Sequence, residues 1–342
     1  MIFSQSKAAE NETVLLRRTA GWLEHATLES LAVEALQEVT RQEGVDFATT
    51  LLFDRFKKSP QHGSFIREMD ALRQSPAQLP SFTSAMPKVV VVPGALYVER
   101  PDLGGDGRLI KEMLVNSGWP WSFIPLASSG SILENARRIS EWLLEHSTEK
   151  IILVSLSKGG TDLSAALAGP QASSIFRNVV AWVNVCGPLN GSRMADWVLA
   201  SRLRAGFFRA QFWLQKRDFA LITDLRHKPD RTCDVPTRWP PNLKILHIVG
   251  FPLQRHMTTP FSSFCHRKLS VYGPNDGTIL LSDLHTWPGN IYPIWGVDHY
   301  FRPETVAREV VAAILKYLAT DHDPETPVLA DEIPAIPIRK EV

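Results

Sequence analysis

From residue 88 onward, short β-branched runs alternate with turns and amphipathic stretches. Each apolar run is shorter than about eight residues, which suits a buried strand and is too short for a membrane span. Strands are predicted over residues 88–92, 121–125, 150–154, 179–185, 243–249 and 291–295, and helices over 132–144, 162–167 and 303–318. This alternation predicts an α/β fold with a mostly parallel central sheet, helices on both faces and any site at the carboxyl ends of the strands.

Three other regions differ in texture from this alternating part. Residues 1–87 combine amphipathic helical patterns with a proline-containing stretch at 75–87, so they are predicted to form a helical region and a linker. Within the α/β domain, predicted over 88–320, the alternation lapses at 191–241, where aromatic and basic residues indicate an inserted helical cap. The prolines of 321–342 indicate an extended C-terminal tail.

The composition indicates a folded globular protein and limits its partners. Of the 342 residues, 44% are hydrophobic and 21% are charged, which excludes a disordered chain. The 37 Lys and Arg residues nearly balance the 36 Asp and Glu residues and leave a formal charge of +1. Nucleic acid or an anionic membrane is therefore not expected as the main partner, although a local basic patch is compatible with this balance.

The cysteines and the N-terminal residues bear on the compartment. Cys186, Cys233 and Cys265 are an odd number without CxxC spacing, so neither a disulfide framework nor a structural zinc site is expected. The first residues contain no apolar run long enough for a signal peptide, and no stretch of about 18 apolar residues follows. Together these features predict a cytoplasmic protein without an integral membrane segment.

A strand, a sharp turn and a helix are predicted around Ser157. Residues 151–160 run from a β-branched strand into the sequence Ser-Leu-Ser-Lys-Gly-Gly. This is the context of a nucleophile elbow, in which a serine on a strained turn projects its hydroxyl above the sheet. The positions two before and two after that serine must be small, and Ser155 and Gly159 meet the requirement. The backbone N–H of Lys158 is then expected to point at a developing oxyanion.

A carboxylate and a histidine follow Ser157 in the order that such an architecture requires. Asp276 lies in the turn sequence Gly-Pro-Asn-Asp-Gly at 273–277, and His299 follows the predicted strand at 291–295. Each is predicted to lie in a turn after a strand. Ser157, Asp276 and His299 therefore form a candidate catalytic triad.

Other residues compete for these roles. Asp283 and Asp298 are the alternative carboxylates, but Asp298 adjoins His299, and neighbours on an extended chain point to opposite sides. His247 lies inside an apolar strand and is predicted to be a hydrogen-bonded core histidine. Ser192 follows a glycine without a strand before it and is predicted to cap a helix.

The order and texture of these segments resemble the α/β-hydrolase superfamily, in particular its lipases and esterases. The resemblance covers roughly residues 88–318. It implies that Ser157 is the nucleophile, that His299 accepts and later returns the proton, and that Asp276 orients His299 and stabilises its charged form.

The resemblance also implies an oxyanion hole built from backbone N–H groups. One donor is the N–H of Lys158, and the second comes from the turn at 93–96, after an early strand. Ala95 is the preferred second donor, and Leu96 is the alternative.

The aromatic residues of the predicted cap raise the question of a substrate pocket. Phe208, Phe212 and Trp213 are predicted to shape an apolar acyl pocket over Ser157, because the cap aromatics cannot all occupy one narrow helical stripe. The alternative is that these aromatics only pack the cap helices onto the domain.

The function implied by the resemblance is hydrolysis of a small-molecule acyl ester or thioester through an acyl-enzyme. Acyl transfer to an alcohol or amine would use the same residues. A noncatalytic scaffold that uses the cap or the N-terminal region for interactions is the alternative outside the enzyme class. No HExxH motif, EF-hand loop or phosphate-binding loop occurs, so no metal and no cofactor are predicted.

Overall fold

The computed structural model describes residues 11–22, 27–75, 86–228, 240 and 243–320. Cys233, the C-terminal tail at 321–342 and most of the predicted linker lie outside the described residues. Within the described ranges, no helix combines the length and apolar character needed to cross a membrane.

Six strands form a single sheet in the described part of the chain, and all neighbouring strands run parallel. They are β1 (Lys88–Val92), β2 (Trp121–Phe123), β3 (Ile151–Leu156), β4 (Val179–Val185), β5 (Lys244–Phe251) and β6 (Asn290–Trp295). The spatial order is β2-β1-β3-β4-β5-β6. The predicted α/β fold with a mostly parallel sheet is confirmed, and each predicted strand is present with ends shifted by at most two residues.

The helices precede, connect and follow these strands. Their bounds are α1 (Glu12–Ala20), α2 (Val33–Glu43), α3 (Val45–Lys58), α4 (Gly63–Gln74), α5 (Arg108–Asn116), α6 (Ile132–Glu145), α7 (Lys158–Leu167), α8 (Ala172–Ile175), α9 (Arg193–Leu199), α10 (Arg202–Leu214), α11 (Ala220–Asp224), α12 (Pro260–Leu269) and α13 (Glu304–Thr320). Helices α9, α10 and α11 occupy the segment predicted as a helical cap.

The order of the strands reverses once, between β1 and β3. The chain passes from β1 outward to β2 and then crosses back to β3, from which β4, β5 and β6 follow in sequence. The turns that leave β1 and β3 therefore diverge from neighbouring strand ends, and a crevice opens between them. Parallel sheets carry their ligand sites in such a crevice, and the turn at Ser157 lies there.

A chain of buried polar side chains crosses the centre of the sheet. Trp182 donates its Nε1–H to Ser155 Oγ at 2.8 Å, and the Ser155 hydroxyl donates to Asn184 Oδ1 at 3.2 Å. His247 Nε2 donates to the carbonyl oxygen of Pro288 at 2.7 Å, which leaves Nδ1 to accept from Asn184 Nδ2 at 3.1 Å. Burial lowers the pKa of His247 to about 4. The prediction of a hydrogen-bonded core histidine is confirmed.

The four N-terminal helices share one hydrophobic core with the sheet. Helix α3 packs on β5 and β6, and α4 packs on β6 and α13. The ring of Phe56 is fully buried and meets that of Phe251 edge-on, with centroids 5.8 Å apart. Tyr292 donates its hydroxyl hydrogen to Asp70 Oδ1 at 2.8 Å. These contacts make the helical region part of the same folding unit as the sheet.

Replacing Phe56 with alanine tests this shared core. Loss of a buried phenylalanine is expected to lower the free energy of unfolding by about 3–5 kcal/mol, because a cavity remains between α3 and β5. Urea unfolding should stay a single transition at a lower midpoint. The exposed Leu144→Ala is the control and should change the free energy by about 0.5 kcal/mol or less. A separate early transition that leaves the midpoint of the sheet unchanged would contradict a shared core.

Candidate active site

The turn between β3 and α7 holds Ser157 in a strained conformation. Its φ is +46° and its ψ is −124°, a backbone conformation that residues other than glycine rarely adopt. The N–H of Ser157 donates to the carbonyl oxygen of Val185 at 2.9 Å, which fixes the turn to the end of β4. The hydroxyl thereby stands at the carboxyl edge of the sheet, at the start of a helix.

Two glycines after Ser157 make this turn possible. A Cβ at Gly159 would lie 2.5 Å from the carbonyl oxygen of Pro93, and one at Gly160 would lie 2.1 Å from Asn184 Oδ1. Neither distance is tolerable for a carbon atom. Helix α7 therefore approaches the ends of β1 and β4 only because both positions lack a side chain.

Ser157, His299 and Asp276 lie in one chain of hydrogen bonds. His299 Nδ1 donates to Asp276 Oδ2 at 2.8 Å, and this leaves Nε2 to accept from the Ser157 hydroxyl at 3.0 Å. The carboxylate is fully buried, and the imidazole is nearly so. The arrangement allows the imidazole to remove the hydroxyl proton while the carboxylate stabilises the resulting charge.

Backbone groups hold Asp276 in place. Its Oδ1 accepts from the N–H groups of Thr278 and Ile279 at 2.7 and 2.8 Å, and its own carbonyl oxygen accepts from the N–H of His299 at 3.0 Å. Asp276 is predicted to lie in a turn after a strand, and the structure inserts helix α12 between β5 and this turn.

The competing carboxylates have other partners. Asp298 Oδ2 accepts from the N–H and the hydroxyl of Thr258, at 3.0 and 2.7 Å. Asp283 Oδ2 lies 3.1 Å from His227 Nε2, away from His299. Ser192 caps α9 by accepting from the N–H of Met194 at 3.2 Å, as predicted.

Cys186 lies beside the candidate triad. Its Sγ, a carboxylate oxygen of Asp276 and a ring nitrogen of His299 lie within 4.8 Å of one another. The side chain is buried, and burial next to the Asp276 charge raises the pKa of the thiol well above its ordinary value. A protonated thiol is a poor metal ligand, because metal binding requires the thiolate. The cluster therefore suits a hydrogen-bonded triad better than a metal site.

The two expected oxyanion-hole donors of the turn after β1 differ in availability. The N–H of Leu96 already donates to the carbonyl oxygen of Ser128 at 2.8 Å, so Leu96 does not serve as a donor to a ligand. The N–H groups of Ala95 and Lys158 have no acceptor among the described residues. Gly94 brings this turn against Ser157, since a Cβ at Gly94 would lie 3.3 Å from Ser157 Cβ. The geometry thus favours Ala95 over Leu96.

The loop at 124–131 is tied to both sides of this donor pair. On one side it holds the turn after β1 through the hydrogen bond from Leu96 to Ser128. On the other side the loop residue Ala127 exchanges two hydrogen bonds with Asn135, at the start of α6, and Asn135 donates to Asp162 Oδ2 at 2.9 Å. Lys158 Nζ donates to Asp162 Oδ1 at 2.5 Å. Asn135 therefore connects the loop to α7, and the buried Lys158 side chain is paired with Asp162.

A large cavity opens at Ser157 and His299. Its volume is about 1180 Å³, more than the upper end of ordinary small-molecule sites. It runs from the serine past the cap helices α9 and α11 to a wall formed by α5 and α13. Apolar side chains dominate the far wall and the cap side, among them Leu109, Ile110, Met194, Leu221, Val311 and Ile314.

The aromatic residues predicted to shape an acyl pocket do not line this cavity. Phe212 is buried against Phe219, with ring centroids 5.7 Å apart, and Phe208 meets Phe207 edge-on. Trp213 faces away from the domain with most of its surface exposed. The cap instead contributes aliphatic side chains from α9 and α11. The helical pattern of the sequence could not reveal which of three short helices faces the serine.

The electrostatic environment favours a charged imidazole at His299. Burial alone would lower its pKa, but the negative charge of Asp276, the hydrogen bond that His299 donates to that carboxylate and the charge of Asp298 outweigh burial. The pKa of His299 is therefore raised above its ordinary value of 6.5.

Solved structures of known proteins share this architecture. A metagenomic carboxyl esterase aligns with a TM-score of 0.54 and 19% identity over 72% of this chain and 80% of its own. The mature form of a Bacillus licheniformis lipase aligns with a TM-score of 0.51 and 19% identity over 71% of this chain and 94% of its own. The propeptide form of that lipase aligns with a TM-score of 0.51 and 21% identity over 77% of this chain and 56% of its own.

No protein-family model matches the sequence, and neither does any curated protein. The structural similarity therefore establishes the fold. The chain has the fold of the α/β-hydrolase superfamily, as its sequence motifs predicted.

Titration of His299 checks its electrostatic environment. Its imidazole resonances should show a midpoint above 6.5, and Asp276→Asn should lower that midpoint because the main charge that favours protonation is gone. Asp283→Asn is the matched control and should leave the midpoint unchanged. An unchanged midpoint in Asp276→Asn would contradict the pairing.

The same shift predicts how stability depends on pH. A histidine whose pKa is higher in the folded state contributes stability that is fully present below the unfolded-state value near 6.5 and is lost as pH rises through the folded-state value. His62 and His247, whose pKa values burial lowers to about 4, titrate below that window. The decrease above pH 6.5 should be absent from Asp276→Asn.

Proposed function

We propose that this chain is a serine hydrolase that cleaves a carboxylic ester or thioester through an acyl-enzyme. The observation that carries the proposal is the continuous hydrogen-bond chain from Asp276 through His299 to Ser157, at distances of 2.8 and 3.0 Å. That chain ends at the mouth of a large apolar cavity and beside two backbone N–H groups without acceptors in the described structure.

In the proposed reaction, Ser157 Oγ attacks the substrate carbonyl carbon while His299 Nε2 takes the hydroxyl proton. The N–H groups of Ala95 and Lys158 donate to the oxygen that becomes negatively charged. His299 then returns the proton to the departing alcohol or thiol, and an acyl-enzyme remains on Ser157. A water molecule, deprotonated by His299, attacks the acyl carbon. The bond from that carbon to Ser157 Oγ then breaks, His299 returns the proton to Ser157 Oγ, and the acid is released. Asp276 stays ionised throughout.

The form of the cavity supports an apolar acyl group as substrate. On α13 the cavity is lined by Glu304 near the start of the helix and then by Ala307, Val310, Val311 and Ile314, which span about 10 Å along the helix axis. The four residues beyond Glu304 are uncharged, so an acyl chain placed against them loses water without leaving a polar group unsatisfied. Two proteins of similar structure are named a carboxyl esterase and a lipase, and both names denote ester hydrolysis.

Labelling with a fluorophosphonate probe tests the nucleophile. The wild-type protein should be labelled covalently, and Ser157→Ala should lose labelling altogether because the attacking oxygen is removed. Ser192→Ala, which removes another serine at the cavity wall, is the control and should retain labelling. Labelling that survives Ser157→Ala would assign the nucleophile elsewhere, and folded protein without any labelling would favour a noncatalytic scaffold.

The acyl pocket is tested with esters of increasing chain length. Each additional buried methylene should raise kcat/KM about fourfold, equivalent to about 0.8 kcal/mol, until the wall of α13 is reached. Val311→Phe should end this increase at a shorter chain because the new ring occupies the cavity.

Two controls separate this effect from general damage to the protein. Val306→Phe changes the same helix at a position that does not line the cavity, and Trp213→Ala changes an exposed cap residue. Neither should alter the ratio of rates on long and short esters. A change of that ratio in Trp213→Ala alone would restore the cap aromatics as the acyl pocket.

A further inference from the structure

Helix α10 of the cap exposes its apolar face to solvent. Positions 203, 206, 207, 210, 213 and 214 fall within an arc of about 120° when successive residues are about 100° apart. All six are exposed, and the four large side chains among them are Leu203 (88%), Phe207 (68%), Trp213 (76%) and Leu214 (72%). Surface helices of globular proteins present the opposite orientation.

The inward side of α10 is already used for packing. Phe212, on the side opposite this apolar face, is buried against Phe219. Helix α10 packs mainly on its neighbour α9. The outward apolar face therefore remains after the internal contacts of the cap are made, and exposed apolar surface of this kind marks an interaction site.

The charges along α10 and the three residues after it have a single sign, and the first acid that follows is Asp218. Between positions 202 and 217 the chain carries five cationic side chains and no Asp or Glu. They are Arg202, Arg204, Arg209, Lys216 and Arg217. On the helix, Arg202 and Arg209 lie along one edge of the apolar face. Arg204 is half-buried, with its guanidinium 4.0 Å from the centroid of the Trp197 ring. The near-zero charge of the whole protein thus conceals a local basic patch.

We propose that α10 docks in the surface of an anionic lipid bilayer, lying parallel to the membrane plane. Its large apolar side chains enter the boundary between headgroups and acyl chains, where Trp and Phe are favoured. The flanking arginines and Lys216 meet the anionic headgroups. A bilayer surface is uniformly anionic and apolar beneath, which complements a face with cations along its edges and no acid within it.

The proposed docking helix adjoins the two helices that line the cavity. Helices α9 and α11, which flank α10 in the chain, contribute Met194 and Leu221 to the cavity wall. The membrane-bound face and the apolar cavity therefore belong to one cap. The docking itself needs neither Ser157 nor the proposed reaction.

Co-sedimentation with vesicles tests the proposal. Wild-type protein should bind vesicles of phosphatidylcholine with phosphatidylserine much more tightly than vesicles of phosphatidylcholine alone, and salt should weaken that binding. The double variant Phe207→Ser with Leu214→Ser should lose about tenfold in affinity per side chain. The double variant Arg202→Glu with Lys216→Glu should lose about fivefold or more per replaced cation, and only with phosphatidylserine present.

Matched variants near the amino ends of the strands serve as controls. Leu144 and Arg177 are exposed residues near the amino ends of the strands, so Leu144→Ser and Arg177→Glu should bind vesicles like the wild type. Circular dichroism and the midpoint of urea unfolding verify folding in every variant. Equal binding by all variants, or no binding by the wild type, would overturn the proposal. A wild-type dimer that dissociates in Phe207→Ser with Leu214→Ser would assign the face to a second copy instead.

Discussion

Helix α7 passes so close to the ends of β1 and β4 that two consecutive positions of the chain have no room for a side chain. A Cβ at Gly159 or Gly160 would lie within 2.5 Å of another atom. This close approach forces the turn at Ser157 into a positive φ and lifts the hydroxyl above the sheet edge. It also sets the N–H of Lys158 beside the turn after β1. The position of the whole candidate site thus depends on one steric constraint between a helix and two strands.

The other parts of the site are held by hydrogen bonds that begin far away in the chain. Asp276 is oriented by the N–H groups of Thr278 and Ile279, and the loop at 124–131 connects both walls around the serine. The N-terminal helices stabilise β5 and β6, from whose carboxyl ends the chain leads to the acid and the histidine. A large, mostly apolar cavity then opens at Ser157.

The cap combines two surfaces with different roles. Its inner helices α9 and α11 carry aliphatic side chains toward the cavity, whereas α10 carries its largest apolar side chains outward among cations. Helix α10 can present its large apolar side chains outward because it packs mainly on α9. Composition alone concealed this division, since the basic residues of the cap are balanced by acids elsewhere in the chain.

The sequence by itself determined the strands, the mostly parallel α/β class, the strand, turn and helix around Ser157 and the order of Asp276 and His299 after it. These features depend on local patterns, because β-branched runs, small residues and turn sequences act on their own neighbours. Only the tertiary structure decided that α12 precedes the acid, that the Leu96 N–H is already engaged, that Cys186 adjoins the triad and that Phe208, Phe212 and Trp213 lie away from the cavity. Each of these depends on which distant segment packs against a given face, and periodicity along the chain carries no information about that partner.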